Sequence, residues 1–246
     1  MPEVFQPIAV RPRSHNRFLF WMRCVLDLQL LTIFRFLRTE LKSWKGPVLD
    51  VGAGKAPWRE LMSEVQYTAV DVESANEFGM GHKPEIIYYD GTLLPFPDAS
   101  FNHVLCTEVL EHVADPIPFL DEIARVLRPG GSLALTVPWS ARLNYVPHDF
   151  TRFSRWRLAI LLETAGFSQV RIEDRGNDIA VVANKLLVLA IRLMRPLRTI
   201  RVLWNWPLAL LVATIAAGFL LAAHLSMLRQ SGFGVDPLGY AVSASK

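Results

Sequence analysis

Three groups of residues have the types and spacing to do chemistry. They are Asp50, Gly52 and Gly54 in VLDVGAGKAP, Asp71 in AVDVE, and Glu108, Glu111, His112, His148, Asp149 and Arg152 further along. In the first group an apolar run (Val48, Leu49, Val51) ends in the turn Gly52-x-Gly54. About twenty residues on, a second apolar run (Ala69, Val70) ends in Asp71. Two successive parallel strands ending this way form a nucleoside pocket, because glycine admits close backbone approach and the acid accepts hydrogen bonds from ribose hydroxyls. The dinucleotide fingerprint G-x-G-x-x-G fails at its last position, Pro57. That argues against NAD and FAD. A nucleoside without a pyrophosphate suits the loop, and S-adenosylmethionine (SAM) is the obvious candidate.

With SAM as the ligand, the third group would serve the transfer of its methyl. Displacement at a sulfonium methyl needs mainly alignment of nucleophile and methyl group, and a hydroxyl acceptor also needs a base. His148, His112 and Glu108 are the candidate catalytic residues, with Asp149 and Arg152 placed for the acceptor. Arg152 suits a phosphate or carboxylate on that acceptor. The plainer reading makes Glu108 and Glu111 scaffold, with Glu111 capping a helix and His112 half buried.

These residues need elements to hold them. Glu85–Tyr89 reads as a third strand running into Asp90-Gly91, and Phe101–Cys106 as a fourth. A helix over Pro116–Leu127 is closed by Arg128-Pro129-Gly130-Gly131, read as a C-cap and turn. Leu133–Pro138 makes a fifth strand and Val170–Asp174 a sixth. Strand, helix and strand alternate at short spacing, the sign of an α/β, doubly wound parallel sheet.

VLDVGAGKAP, AVDVE, DGTLLPFPDASFNHVLCTEVLEHVADP and LRPGGSLALTVP, in that order, resemble the class I SAM-dependent methyltransferases, type 11 group, over about residues 45–175. The resemblance implies a seven-stranded Rossmann-like sheet with SAM as cofactor. It implies Asp50, Gly52 and Gly54 at the methionine end, Asp71 on the ribose, and Asp90 with Gly91 near the adenine. The GAGKAP loop departs from the commoner form, which has glycine near Ala56, and this tightens the turn. Glu108, Glu111, His112 and His148 are also similar to a metal-binding set in certain RNA 2′-O-methyltransferases and ubiquinone-pathway O-methyltransferases. EVLEHV is common in members without a known metal, so no divalent metal is expected here. Class I members end in an antiparallel seventh strand. Its candidate is Gly239–Ser245 at the end of the chain, in a GY-V-K pattern frequent among members that modify bacterial surface glycans.

The 246 residues suit one such domain with appendages, at net charge +3 and a mean hydropathy of +0.24. Lys and Arg do not concentrate on the motifs and no basic, aromatic-interleaved patch stands out, so no nucleic-acid partner is expected. Cys24 and Cys106 read as buried thiols in a reducing compartment. Met1–His15 lacks the pattern of a secretory signal. Residues 1–44 read as an N-terminal amphipathic helical segment, with Arg17–Trp44 as one long helix bearing Arg17, Arg23, Arg35, Arg38 and Lys42. A membrane interface and packing across the sheet edge are equally open for it. Residues 45–177 form the SAM-binding core.

From Leu203 to Leu228 no side chain is charged, and a helix there, at about 39 Å, exceeds the roughly 30 Å hydrocarbon core. Arg192, Arg195, Arg198 and Arg201 precede it, with Trp204 and Trp206 at the boundary, which places the catalytic half on the cytoplasmic side. If residues 231–246 return to the sheet as its last strand, residues 178–230 must be a hydrophobic helical hairpin, membrane-associated and monotopic, with Pro196 and Pro207 at turns or kinks. The expected location is the cytoplasmic face of the inner membrane.

The expected function is SAM-dependent O-methylation of a membrane-held acceptor. The partners are the lipid surface and a lipid-linked or amphipathic small molecule, such as a lipid-linked sugar or surface-glycan intermediate. Two alternatives stand beside it: a prenylquinone or other lipid methyltransferase, favoured by an apolar mouth without Arg152 pointing inward, and a non-catalytic SAM-binding membrane scaffold.

Overall fold

A computed structural model describes residues 10, 12–78, 82–194, 202–228 and 235–246. Seven strands, β1 (Gly46–Val51), β2 (Val65–Val72), β3 (Ile86–Tyr89), β4 (Phe101–Thr107), β5 (Leu127–Pro138), β6 (Ser168–Arg175) and β7 (Gly239–Ser245), form one sheet in the order β3-β2-β1-β4-β5-β7-β6. All pairs are parallel except those of β7, which runs antiparallel between β5 and β6. The order reverses between β1 and β4, where an open parallel sheet has its ligand crevice.

Alternate residues of the central strands feed two cores. Leu49, Val51, Val104, Cys106, Leu133 and Leu135 pack against α3 (Pro116–Val126) and α4 (Arg155–Thr164). Val48, Leu105 and Ala134 pack against α1 (Arg17–Leu26), α2 (Leu28–Glu40) and the roots of α5 (Asp178–Met194) and α6 (Val202–Leu228). A sheet covered on both faces explains why its strands read as unbroken apolar runs.

Local chemistry sets the helix ends. Asp115 caps α3, accepting from the Ile117 N–H, with Pro116 at the first helical position. Ser154 caps α4 through the Arg157 N–H. The N-terminal segment is two helices, not the single long one expected. Asp27 leaves helical geometry and its carboxylate accepts from the Leu30 N–H, 3.1 Å away, so a second cap wins over continuation. Arg128-Pro129-Gly130-Gly131 is likewise not a cap and turn. The helix stops at Val126, and these four residues begin β5 as a bulge, since Phe101 pairs with Leu127 and His103 with Ser132. The last residue holds the bulge in place: Gly130 N–H donates to Lys246 O and Lys246 N–H to Gly131 O, both at 2.9 Å.

α5 and α6 form an antiparallel hairpin on this base. Ala183 and Ala190 of α5 and Ala209, Ala216 and Ala223 of α6 are buried, each series repeating every seventh residue, and small side chains of this kind let helices approach closely. α6 continues through Pro207 with no turn there. Pro196, Arg195, Arg198 and Arg201 lie outside the described residues.

Gly239 shows how tightly β7 is fitted. A Cβ there would lie 2.3 Å from Arg175 Nη2 and 2.4 Å from the Val137 carbonyl. Gly239→Ala is expected to destabilise the fold by about 1–3 kcal/mol, seen as a lowered Tm in detergent, because the Val137 carbonyl cannot yield without straining the β5–β7 pairing, nor Arg175 without leaving Glu108.

Candidate active site

The carboxyl ends of β1, β2 and β4 enclose a pocket of about 310 Å³. Gly52, Gly54, Asp71 and Gly91 line it, together with Val72, Ala75, Tyr89, Glu108, Val109, His112, Val113, Phe119, Tyr145 and His148. Gly52 stands at φ +70°, and a Cβ on it would lie 2.3 Å from a Val109 methyl, so this position admits no side chain. Asp71 ends the buried part of β2. Its Oδ2 accepts from the Gly54 N–H at 2.8 Å and its Oδ1 from the Val72 N–H at 2.8 Å, which ties the glycine loop to the acid. Burial raises the Asp71 pKa, and these two N–H groups oppose the rise.

The structure separates some residues expected together. Asp50 does not line the pocket. It is fully buried beneath the loop, accepts from the Tyr67 hydroxyl, and desolvation pushes its pKa up to about 7. Asp90 is exposed and turned back onto its own segment, accepting from the Thr92 N–H and hydroxyl at 2.9 and 2.7 Å, which lowers its pKa. Asp149 and Arg152 are paired with each other. The guanidinium reaches both carboxylate oxygens, Nη2–Oδ2 at 2.7 Å, and neither residue lines the pocket.

Glu108, His112 and His148 do meet at the pocket wall. Glu108 adopts φ +53°, a conformation costly to a side chain and held by its surroundings. Its Oε1 accepts from Arg175 Nη2 at 2.7 Å, and Arg175, 3 % exposed, also donates to the Tyr240 and Val137 carbonyls. Glu108 is thus an oriented, neutralised carboxylate, poorly suited to act as a base. Glu111 lies under the wall. Desolvation first, then the Glu108 charge, raises its pKa well above its ordinary value. Among the described residues no group of three or more His, Cys, Asp and Glu side chains is disposed to hold a metal ion.

His112 has the geometry of a base. Its Nδ1 lies 2.9 Å from the His148 carbonyl oxygen, which only an Nδ1–H can satisfy. The neutral ring therefore keeps its lone pair on Nε2. Nε2 lies 3.7 Å from Glu111, beyond hydrogen-bond reach. Desolvation lowers the His112 pKa, although the His148 carbonyl and the Asp149 charge pull the other way. Tyr145 packs edge-on to this imidazole, ring centroids 5.5 Å apart. Neither Tyr145 nor Arg175 was legible as a site residue, since one is a loop aromatic and the other a strand-end arginine 67 residues from its partner Glu108.

These features fit SAM: a turn that excludes a side chain at Gly52, an acid fixed beside it, and a pocket large enough for a nucleoside. A methyltransferase-domain family profile matches residues 49–135. A demethylmenaquinone methyltransferase of Listeria monocytogenes is 32% identical over 168 residues, covering 50% of this chain and 70% of the relative. The chain belongs to the SAM-dependent methyltransferases. A probable S-adenosylmethionine-dependent methyltransferase of Mycolicibacterium smegmatis is also 32% identical, over 141 residues, and the chain spans 52% of that protein's length. A SAM-dependent methyltransferase from Archaeoglobus fulgidus shares the fold, with a TM-score of 0.52 at 20% identity over 94% of this chain and all of that one.

Bound SAM supplies an electrophilic methyl group on a sulfonium. What the chain itself would contribute is position: Asp71 and the Gly52–Gly54 loop would hold the nucleoside, and the wall of Glu108, Val109 and His112 faces the remaining space.

Proposed function

We propose that this methyltransferase O-methylates a hydroxyl on a membrane-held acceptor, working at the cytoplasmic face of the membrane. One observation carries the reading: the hairpin is rooted at the same sheet edge as the pocket. Asn177, two residues past the Arg175 that holds Glu108, donates to Ser226 of α6 at 3.0 Å. Along the rest of α6, Leu210, Leu211, Leu221 and Leu228 are exposed. Its span Asn205–Leu228 has a hydropathy of 2.3 and is 22% buried. An apolar surface of that extent needs a cover, and a bilayer supplies one. α5 carries Lys185 and Arg192 and is 17 residues long, which suits a hairpin dipping into one leaflet.

The acceptor class follows from the wall. Val109, Val113, Phe119 and Tyr145 are apolar or aromatic, and Arg152 is occupied by Asp149. That favours a flat phenolic head on a prenyl tail over a lipid-linked sugar phosphate. The Listeria relative is named for demethylmenaquinone, and an O-methyltransferase from Xanthomonas oryzae, at 35% identity over 113 residues, for ubiquinone biosynthesis.

In the proposed step His112 Nε2 takes the hydroxyl proton as the oxygen bonds to the methyl carbon, and the carbon–sulfur bond breaks with its electrons left on sulfur. The test uses the full chain in phospholipid vesicles with methyl-tritiated SAM and either a polyprenyl catechol or an undecaprenyl-phosphate sugar. Label is expected on the catechol. Label on the sugar alone would overturn the acceptor class, and label on neither, with SAM bound, the membrane-acceptor reading.

A further inference from the structure

Six of the ten residues of α1 are large, apolar and exposed: Phe18, Leu19, Trp21, Met22, Val25 and Leu26. Only Phe20 and Cys24 of that helix are buried. Phe18, Met22, Val25 and Leu26 follow the i, i+4, i+7, i+8 spacing of one face, with Arg17 and Arg23 on its two flanks. Such a face on a water-soluble surface is a liability; flanked by arginines it is the pattern of a helix lying in a lipid interface.

Its position gives it a role. Just before α1, the N–H groups of Arg13 and Ser14 donate to the Glu60 carboxylate, on the segment following β1, at 2.7 and 2.8 Å. At its far end the Val25 carbonyl accepts from His224 Nε2 of α6 at 2.9 Å. Gln29, opening α2, donates to the Leu238 carbonyl ahead of β7 at 3.1 Å. α1 thus runs from the β1 side to the β7 side, beside the strand ends of β4 and β5, and it is fastened directly to the hairpin. Burial raises the pKa of Tyr145 in the pocket wall, and the Arg23 charge opposes that rise. The loop between β5 and α4, which carries Tyr145 and His148, exposes Leu143, Val146 and Phe150 at the same rim.

We infer that α1 is an in-plane, lipid-contacting helix which, joined to the hairpin and the loop after β5, seats the mouth of the SAM pocket on the bilayer, so that an acceptor head enters from the lipid without crossing water. The inference rests on the membrane reading above and goes further: the hairpin anchors the protein, and α1 aims the pocket. The hairpin alone would tether the enzyme at any tilt. A second contact, set apart from it and beside the mouth, fixes the tilt.

Depth measurement tests this on the full chain in phosphatidylcholine–phosphatidylglycerol vesicles. Single cysteines replace Met22 on α1, Leu221 on α6 and Glu64 at the opposite, amino end of the sheet, and each takes a bimane probe. Native Cys24 and Cys106 are buried and do not compete. Lipids brominated in the acyl chain are expected to remove at least half the emission at Met22→Cys and Leu221→Cys and almost none at Glu64→Cys. Quenching at Leu221→Cys with Met22→Cys open to aqueous iodide would overturn the role of α1 and leave the hairpin reading standing. Quenching at neither would overturn both.

Discussion

Replacing Asp71 by alanine is expected to weaken SAM binding by roughly tenfold to over a hundredfold, the equivalent of losing about 1.5–3 kcal/mol of charge-assisted hydrogen bonding to the ribose. Asp71 sits in the pocket wall with both oxygens already holding backbone: one takes the Gly54 N–H, the other the Val72 N–H. Each carboxylate oxygen has a second lone pair, so the same group that shapes the loop can still accept from a ligand. Alanine removes both functions, because it also releases Gly54 from its partner. Asp71→Asn separates them. It keeps one acceptor oxygen and loses the charge, and its loss of affinity is expected to fall between wild type and Asp71→Ala. Calorimetry on detergent-solubilised protein, with thermal unfolding as a check that the sheet persists, reads both. Unchanged affinity in Asp71→Ala would place the nucleoside elsewhere.

The fold was largely legible because its signals are local. Turn glycines and strand-end acids speak within a few residues, and the seventh strand, with Gly239–Ser245 as its candidate, is what the family resemblance implies. The N-terminal helix was misread because Asp27 caps α2, and apolar periodicity does not register a cap. Arg128–Gly131 has the composition of a turn, yet Lys246, distant in sequence, pairs with it and draws it into β5. In the site the same division appears. Gly52, Gly54, Asp71, Glu108, His112 and His148 line the pocket because strand ends and the turns after them converge there. Asp50 and Asp90 have the right spacing but turn away: Asp50 is held by Tyr67 across the β1–β2 pair, and Asp90 by Thr92 in its own turn. The sequence offers Arg152 to a phosphate or carboxylate on the acceptor, and Asp149, three residues earlier, pairs with it.

That pairing bears on the chemistry, since it occupies the cation expected on the acceptor side and concentrates proton transfer on histidine. Glu108 is paired with Arg175, and Glu111 is fully buried with its pKa raised by desolvation. The tautomer of His112 is fixed by the backbone carbonyl of His148. His112→Gln is therefore expected to lower kcat by about a hundred- to ten-thousand-fold, the usual worth of a positioned base, while SAM affinity stays near wild type. His148→Ala is expected to cost much less, because the carbonyl that orients His112 survives the substitution. The pH profile supplies the independent readout. Burial lowers the His112 pKa below its ordinary value of 6.5, so the basic form is already complete at neutral pH. Wild-type kcat should rise with pH through an acidic limb below 6.5 and then level, since protonating Nε2 removes the lone pair that accepts the hydroxyl proton. In His112→Gln that limb should vanish, leaving a slow rate that climbs only as the acceptor hydroxyl itself ionises. A limb retained in His112→Gln and lost in His148→Ala would transfer the role to His148.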